Sequence, residues 1–139
     1  MTLYNVVEAI KTVALRQPNV NGCYEGSVYE INANPANKYA NVIITQRNHR
    51  ETENTFIFHF IVFFCDRLIS NLKSNKLQIQ SNGISVLSNI FKTLENEYDI
   101  EFLNKEYTTW EEKFTDELAG CYCDVQIEVY KQLNCAEEY

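Results

Sequence analysis

Apolar residues along the chain switch between a helical period and a strand period several times. In residues 2–16, Leu3, Val6, Val7, Ile10, Val13 and Ala14 fall at helical spacing. Thr2 is placed to cap that helix, and Asn5 holds the third helical position, where a capping box prefers Glu or Gln. Pro18 ends it. Residues 19–37 are rich in Asn, with Gly22, Gly26 and Pro35. Within them 27–32 alternates weakly and predicts a short edge strand. Residues 38–46 read as a strand, 47–54 as a polar tip, and 55–64 as a second strand rich in aromatic and β-branched residues. The two strands predict an antiparallel hairpin with an overhanging loop.

On the second strand Phe56, Phe58, Phe60 and Val62 share one face, while Ile57, His59, Ile61 and Phe63 share the other. Both faces are largely apolar, which predicts a central strand covered on both sides. The N-terminal helix supplies one cover. The other falls to a helix over about Lys76–Tyr98 or to a neighbouring subunit. That helix carries the stripe Leu77, Ile84, Leu87, Ile90, Phe91 and Leu94. Gly83 weakens its first half and moves the expected start toward Asn82 or Gly83. Residues 100–110 predict a strand and 111–120 a turn or short helix. Along 121–130, Cys121, Cys123, Val125, Ile127 and Val129 alternate with polar partners, as in a strand with one buried face. Runs of strands punctuated by isolated helices predict an α+β fold: a small antiparallel sheet flanked by an N-terminal and a central helix. At 139 residues, one domain over 1–139 is expected.

Charge adds a second pattern. The net charge is −7, but residues 95–139 hold thirteen acidic side chains against three Lys. That segment balances at −10 and leaves +3 for residues 1–94. A net-acidic chain is a poor general binder of nucleic acid. Opposite patches on one chain suit contact with a copy of itself or with a neighbour. No basic head followed by an apolar run opens the sequence. The stretch 55–65 is about half the length of a spanning helix, so no membrane partner is expected and a cytosolic setting is. The odd number of five Cys reads as reduced thiols.

Candidate chemistry is sparse. His59, among Phe and Ile on a strand, reads as a buried, hydrogen-bonded structural residue. His49 lies at a loop tip, where Arg47 and Arg50 disfavour its protonated form. Cys65 is six residues from His59, about 20 Å along a strand, too far for a nucleophile and its base. Cys121 and Cys123 read as core packing, because CxC inside a strand is not a zinc knuckle. No catalytic, cofactor-binding or metal-binding motif occurs. Asp66 and Arg67 suit an ion pair at a strand-to-helix corner. Arg47, His49 and Arg50 form a small basic cluster, suited to an acidic neighbour or to nucleic acid in a channel.

Several segments carry a resemblance. They are Lys38-Tyr39, the aromatic strand ending in Asp66-Arg67-Leu68, Ser74-Asn75 with Gln78-Ile79-Gln80-Ser81-Asn82-Gly83-Ile84 entering a helix, and Lys113-Phe114-Thr115-Asp116 followed by Ala119-Gly120. Over about residues 2–135 the chain resembles neck or tail-connector ring proteins of tailed phages of Bacteroides-type bacteria, crAss-like phages included. The resemblance implies a tail-terminator-like or tail-completion-like fold without catalytic residues. It also implies a six-fold or twelve-fold homo-oligomeric ring in the virion, stacked among portal, neck and tail proteins, with DNA passing through the lumen unbound. A ring needs a heterologous interface. Arg47, His49 and Arg50 are expected to meet acidic partners among Glu111, Glu112, Asp116 and Glu117 of the next copy. A soluble intracellular adaptor, binding one protein partner as monomer or dimer, is the alternative; nothing in the spacing points to an enzyme.

Overall fold

A computed structural model describes residues 1–33, 38–68, 74–113 and 117–131. The first helix, α1 (Leu3–Leu15), begins at a reciprocal cap. The Asn5 amide donates to Thr2 Oγ1 at 3.2 Å, and the Thr2 amide donates to Asn5 Oδ1 at 3.0 Å. Asn5 thus fills the place expected of Glu or Gln. Strand β1 (Gly22–Glu25) follows, then a six-residue helix, α2 (Val28–Ala33). The predicted edge strand over 27–32 is therefore corrected to a helix. Ser27 decides it: its hydroxyl accepts from the Tyr29 amide at 3.2 Å, and its carbonyl accepts from Ile31 at 3.0 Å. Gly26, at φ +143°, makes the turn before it.

Strand β2 (Asn41–Gln46), the two-residue β3 (Arg50–Glu51) and the long β4 (Thr55–Arg67) come next. They lead to α3 (Ser74–Glu97) and the hairpin of β5 (Glu101–Lys113) and β6 (Glu117–Tyr130). The sheet runs β1-β2-β4-β6-β5, with β3 on the side of β4. All pairings are antiparallel except β1 with β2, which the α2 crossover makes parallel. The fold is α+β, as expected, and β4 is central. The turn-or-helix over 111–120 is corrected: both strands run into that segment, with Lys113 opposite Glu117.

The expected placing of the N-terminal and central helices on opposite faces is also corrected. Helices α1 and α3 lie side by side on one face of the sheet. They bury Phe58, Phe60, Val62 and Phe64 of β4 together with Cys121, Cys123, Val125 and Ile127 of β6. On the other face, among the described residues, α2 lies against one end. Asn32, almost fully buried, lies with Nδ2 3.8 Å from Cys65 Sγ, and Ile43 is buried beside them.

Helix α3 starts at Ser74, not near Gly83. Its buried stripe is Ile79, Gly83, Val86, Leu87, Ile90, Phe91 and Leu94, whereas Leu77 is 70% exposed. Gly83 is not a weak point but a point of closest approach. A Cβ there would lie 2.8 Å from Phe64 Cδ1 and 3.0 Å from Cys121 Sγ. Among the described residues no helix is long and apolar enough to cross a membrane.

Candidate functional site

The basic cluster sits on the connection from β2 to β4. The expected overhang is corrected: the connection folds back along β4. The Arg47 amide donates to the His59 carbonyl at 2.8 Å, and β3 pairs Arg50 with Ile57 and Glu51 with Phe56. Eight residues of polar tip are thus shortened to the turn from β3 to β4, closed by Thr52 and Thr55. Arg47 and Arg50 are exposed. The Arg50 guanidinium reaches across β4 to donate to Gln126 Oε1 at 3.0 Å.

His49 packs its ring near Phe58 and Phe60. Its pKa is lowered, the direction expected, but the cause differs. Partial burial comes first and the His59 imidazole second. The flanking arginines are not the cause.

The acidic residues gather at the other end of the sheet. Glu111 lies in β5 opposite Ala119, Glu112 opposite Leu118, and Glu117 opens β6. Asp116 lies outside the described residues. Arg50 is level with Ile57 on β4, and Glu111, through Ala119, is level with Asp66. Nine residue steps separate those levels, about 30 Å along the strands. Within one chain the two clusters therefore cannot touch.

The charge segregation along the sequence is partly folded away. Arg16 pairs with Glu97 at 2.8 Å and ties α1 to α3; Lys76 pairs with Glu111 at 3.5 Å. Lys105 holds Glu95 at 3.1 Å, and Lys131 holds Glu51 at 2.7 Å. All these groups are solvent-accessible, so each pair contributes little to stability. The expected Asp66–Arg67 ion pair takes another form. Asp66 Oδ1 accepts from the Arg67 backbone amide at 2.8 Å, and the Arg67 guanidinium lies 5.5 Å from the Tyr39 ring centre. Half-burial raises the Asp66 carboxyl above its ordinary range, more than Arg67 lowers it.

A row of side chains on the sheet face opposite α1 and α3 escaped the sequence reading. Antiparallel register sets His59 opposite Asp124, and Nε2 lies 2.5 Å from Asp124 Oδ1. His59 is hydrogen-bonded as expected, but it is not buried: its side chain is 22% exposed. Thr55 donates to Glu128 at 3.2 Å at one end of this row. Toward the other end the face turns aromatic, with Phe63 against Tyr122 and Trp110 at centroid distances of 5.4 and 6.4 Å. The polar residues of β6 gave half of this signal in the sequence. Which β4 residue each one meets depends on register, which alternation alone does not set.

The pair orients an imidazole, but among the described residues no thiol is activated to serve it. Cys65 lies six residues along β4, fully buried, and burial pushes its thiol far up. Cys121 and Cys123 are buried in the core, as expected, with thiols pushed up to about 12 and about 11, in each case chiefly by burial. Among the described residues no group of three or more His, Cys, Asp or Glu could hold a metal ion. No family model matches the chain, and no curated protein matches it significantly.

Proposed function

We propose that the chain is a structural virion protein. It forms a ring in the neck of a tailed phage, as a head-to-tail connector or tail terminator, joins the portal to the tail and lets DNA pass. The observation that carries this reading is the separation of the two clusters, Arg47, His49 and Arg50 at one end of the β4–β6 pair and Glu111, Glu112 and Glu117 at the other. Groups about 30 Å apart in one subunit are brought together by a head-to-tail contact between copies, and a head-to-tail contact that closes is a ring. The contact is electrostatic, hence salt-sensitive, and it sets register and order of addition more than affinity.

Native mass spectrometry tests the proposal. Wild-type protein gives a closed oligomer, six-fold or twelve-fold. Adding the double variant Arg47→Glu, Arg50→Glu caps growing chains and shifts the distribution to small species. Glu111→Lys with Glu117→Lys on the same partner restores the ring. Rings that persist unchanged in the mixture exclude this interface. One observation favours a second reading, an adaptor working as monomer or dimer: the core between α1, α3 and the sheet closes within a single chain. Light scattering after size exclusion separates the two, because an adaptor stays one small species at high concentration.

A further inference from the structure

The first half of the connection from β2 to β4, ahead of β3, is fastened to the backbone of His59. The His59 carbonyl accepts from the Arg47 amide at 2.8 Å, and the His59 amide donates to His49 Nδ1 at 3.2 Å. The second ring nitrogen of His49, Nε2, lies 3.1 Å from Gln46 Oε1. Gln46 is itself oriented, because its Nε2 donates to Glu25 Oε2 at 3.2 Å. Its carboxamide oxygen is thereby turned to His49. An oxygen of that kind only accepts, so His49 Nε2 carries the proton and Nδ1 is the bare nitrogen. A neutral imidazole in one tautomer completes this chain of bonds from β1 to β4.

We propose that His49 is an acid-sensitive latch whose neutral ring holds residues 47–51 on β4 and whose protonation at Nδ1 releases them. A protonated imidazole donates from both nitrogens, so the His59 amide then faces a proton instead of an acceptor. The packing favours the closed form at neutral pH. The ring is 5.5 and 5.6 Å from the Phe58 and Phe60 ring centres, and partial burial lowers its pKa. The charged and titratable groups around it are Glu25 on β1, Glu8 and Lys11 on α1 beside Glu25 and Gln46, His59 on β4, and Arg47, Arg50 and Glu51 in its own segment, the last paired with Lys131.

The sign follows from linkage. A histidine in the unfolded chain titrates near 6.5, and His49 in the fold titrates below that. The unfolded chain therefore binds more protons in this window, and stability rises with pH across it. The latch is closed above about 6.5 and opens as the pH falls below it. What it controls is β3, and with β3 the placement of Arg50 toward Gln126. The device belongs to the folded chain alone and does not depend on ring assembly.

Nuclear magnetic resonance of ¹⁵N-labelled protein tests it. Long-range proton–nitrogen correlation at about pH 8 is expected to show His49 protonated on Nε2 only. Between about pH 8 and pH 5, the residue-59 amide is expected to lose about five-fold in exchange protection, after correction for intrinsic rates. That factor corresponds to one net hydrogen bond. In His59→Gln, which keeps the amide and removes the second imidazole, the same loss follows the His49 titration. His49→Phe keeps the ring packing without the acceptor, and its residue-59 amide is poorly protected at every pH. A proton on Nδ1 at pH 8, or protection unchanged through the His49 titration, overturns the latch.

Discussion

Gly83→Ala separates two opposed effects at a single position. On an exposed helix surface the change stabilises by about 1 kcal/mol, because glycine is the poorest non-proline helix former. Gly83 is buried in α3, ten residues into the helix, and faces the sheet. The new Cβ would lie 2.8 Å from Phe64 Cδ1 and 3.0 Å from Cys121 Sγ. Carbon atoms rest at about 3.5–4.0 Å, so one side must retreat by most of an ångström. Phe64 and Cys121 are both fully buried and have no solvent to retreat into. Overpacking of this kind costs about 1–3 kcal/mol. Set against the helix gain, the net change is a destabilisation of about 1 kcal/mol, or about 4 °C in Tm for a domain of this size. Urea denaturation reads it as a lower midpoint at constant slope. Ser85→Ala, on the exposed side of the same helix, serves as the control and stabilises by a few tenths of a kcal/mol. Phe64→Leu in the same chain makes room, and the pair then couples favourably by about 1 kcal/mol in a double-mutant cycle. If Gly83→Ala stabilises as an exposed glycine would, the argument that α3 seats on the sheet through this residue is wrong.

Two further substitutions or probes follow from the same core. A Cβ at Gly120 would lie 1.8 Å from the Phe64 carbonyl oxygen, a backbone atom of the paired strand, so Gly120→Ala must shift β6 from β4. The expected loss is about 4 kcal/mol or more, seen as a collapse of the urea midpoint, and a mild effect would contradict the close approach. Cys121 and Cys123, with thiols raised to about 12 and about 11, are expected to resist alkylation at about pH 8 in the folded protein. Both are expected to label at ordinary thiol rates in urea; peptide mapping reads each site, and fast labelling of Cys123 without denaturant would refute its burial.

The elements that periodicity sets were legible, and those that capping and pairing set were not. Strand β4, with Phe and Ile on both faces, announced itself as central, and its place between β2 and β6 agrees. The alternation of β6 assigned Cys121, Cys123, Val125, Ile127 and Val129 to the core face, where they lie. Residues 27–32 misled because Val28, Tyr29 and Ile31 favour strands, whereas a single hydroxyl on Ser27 starts a helix. Propensity over six residues is weak against a satisfied helix start. Gly83 misled for the opposite reason. Helix propensity counts only the backbone of the residue itself, while here the absence of a side chain lets Phe64 and Cys121 come close.

The candidate site divides along the same line. Residue type located the basic cluster and the acidic one, but their distance is a property of strand register. The extent of β4 and the hairpin β5–β6 puts them at opposite ends. Register also produced what no spacing revealed, the His59–Asp124 pair and the reach of Arg50 to Gln126. The charge asymmetry of the chain changes meaning as well. Arg16 and Lys76, from the cationic part of the sequence, find Glu97 and Glu111 within the same subunit. An association between copies must therefore either use carboxylates that these bridges leave free, such as Glu117, or exchange Lys76 for a neighbour's arginine at Glu111. Exchange of one exposed ion pair for another is nearly neutral in free energy. Electrostatics at such a joint selects the order in which subunits meet, and the holding free energy must come from apolar contact. On the sheet face opposite α1 and α3, Phe63, Tyr122 and Trp110 are partly exposed and offer such area.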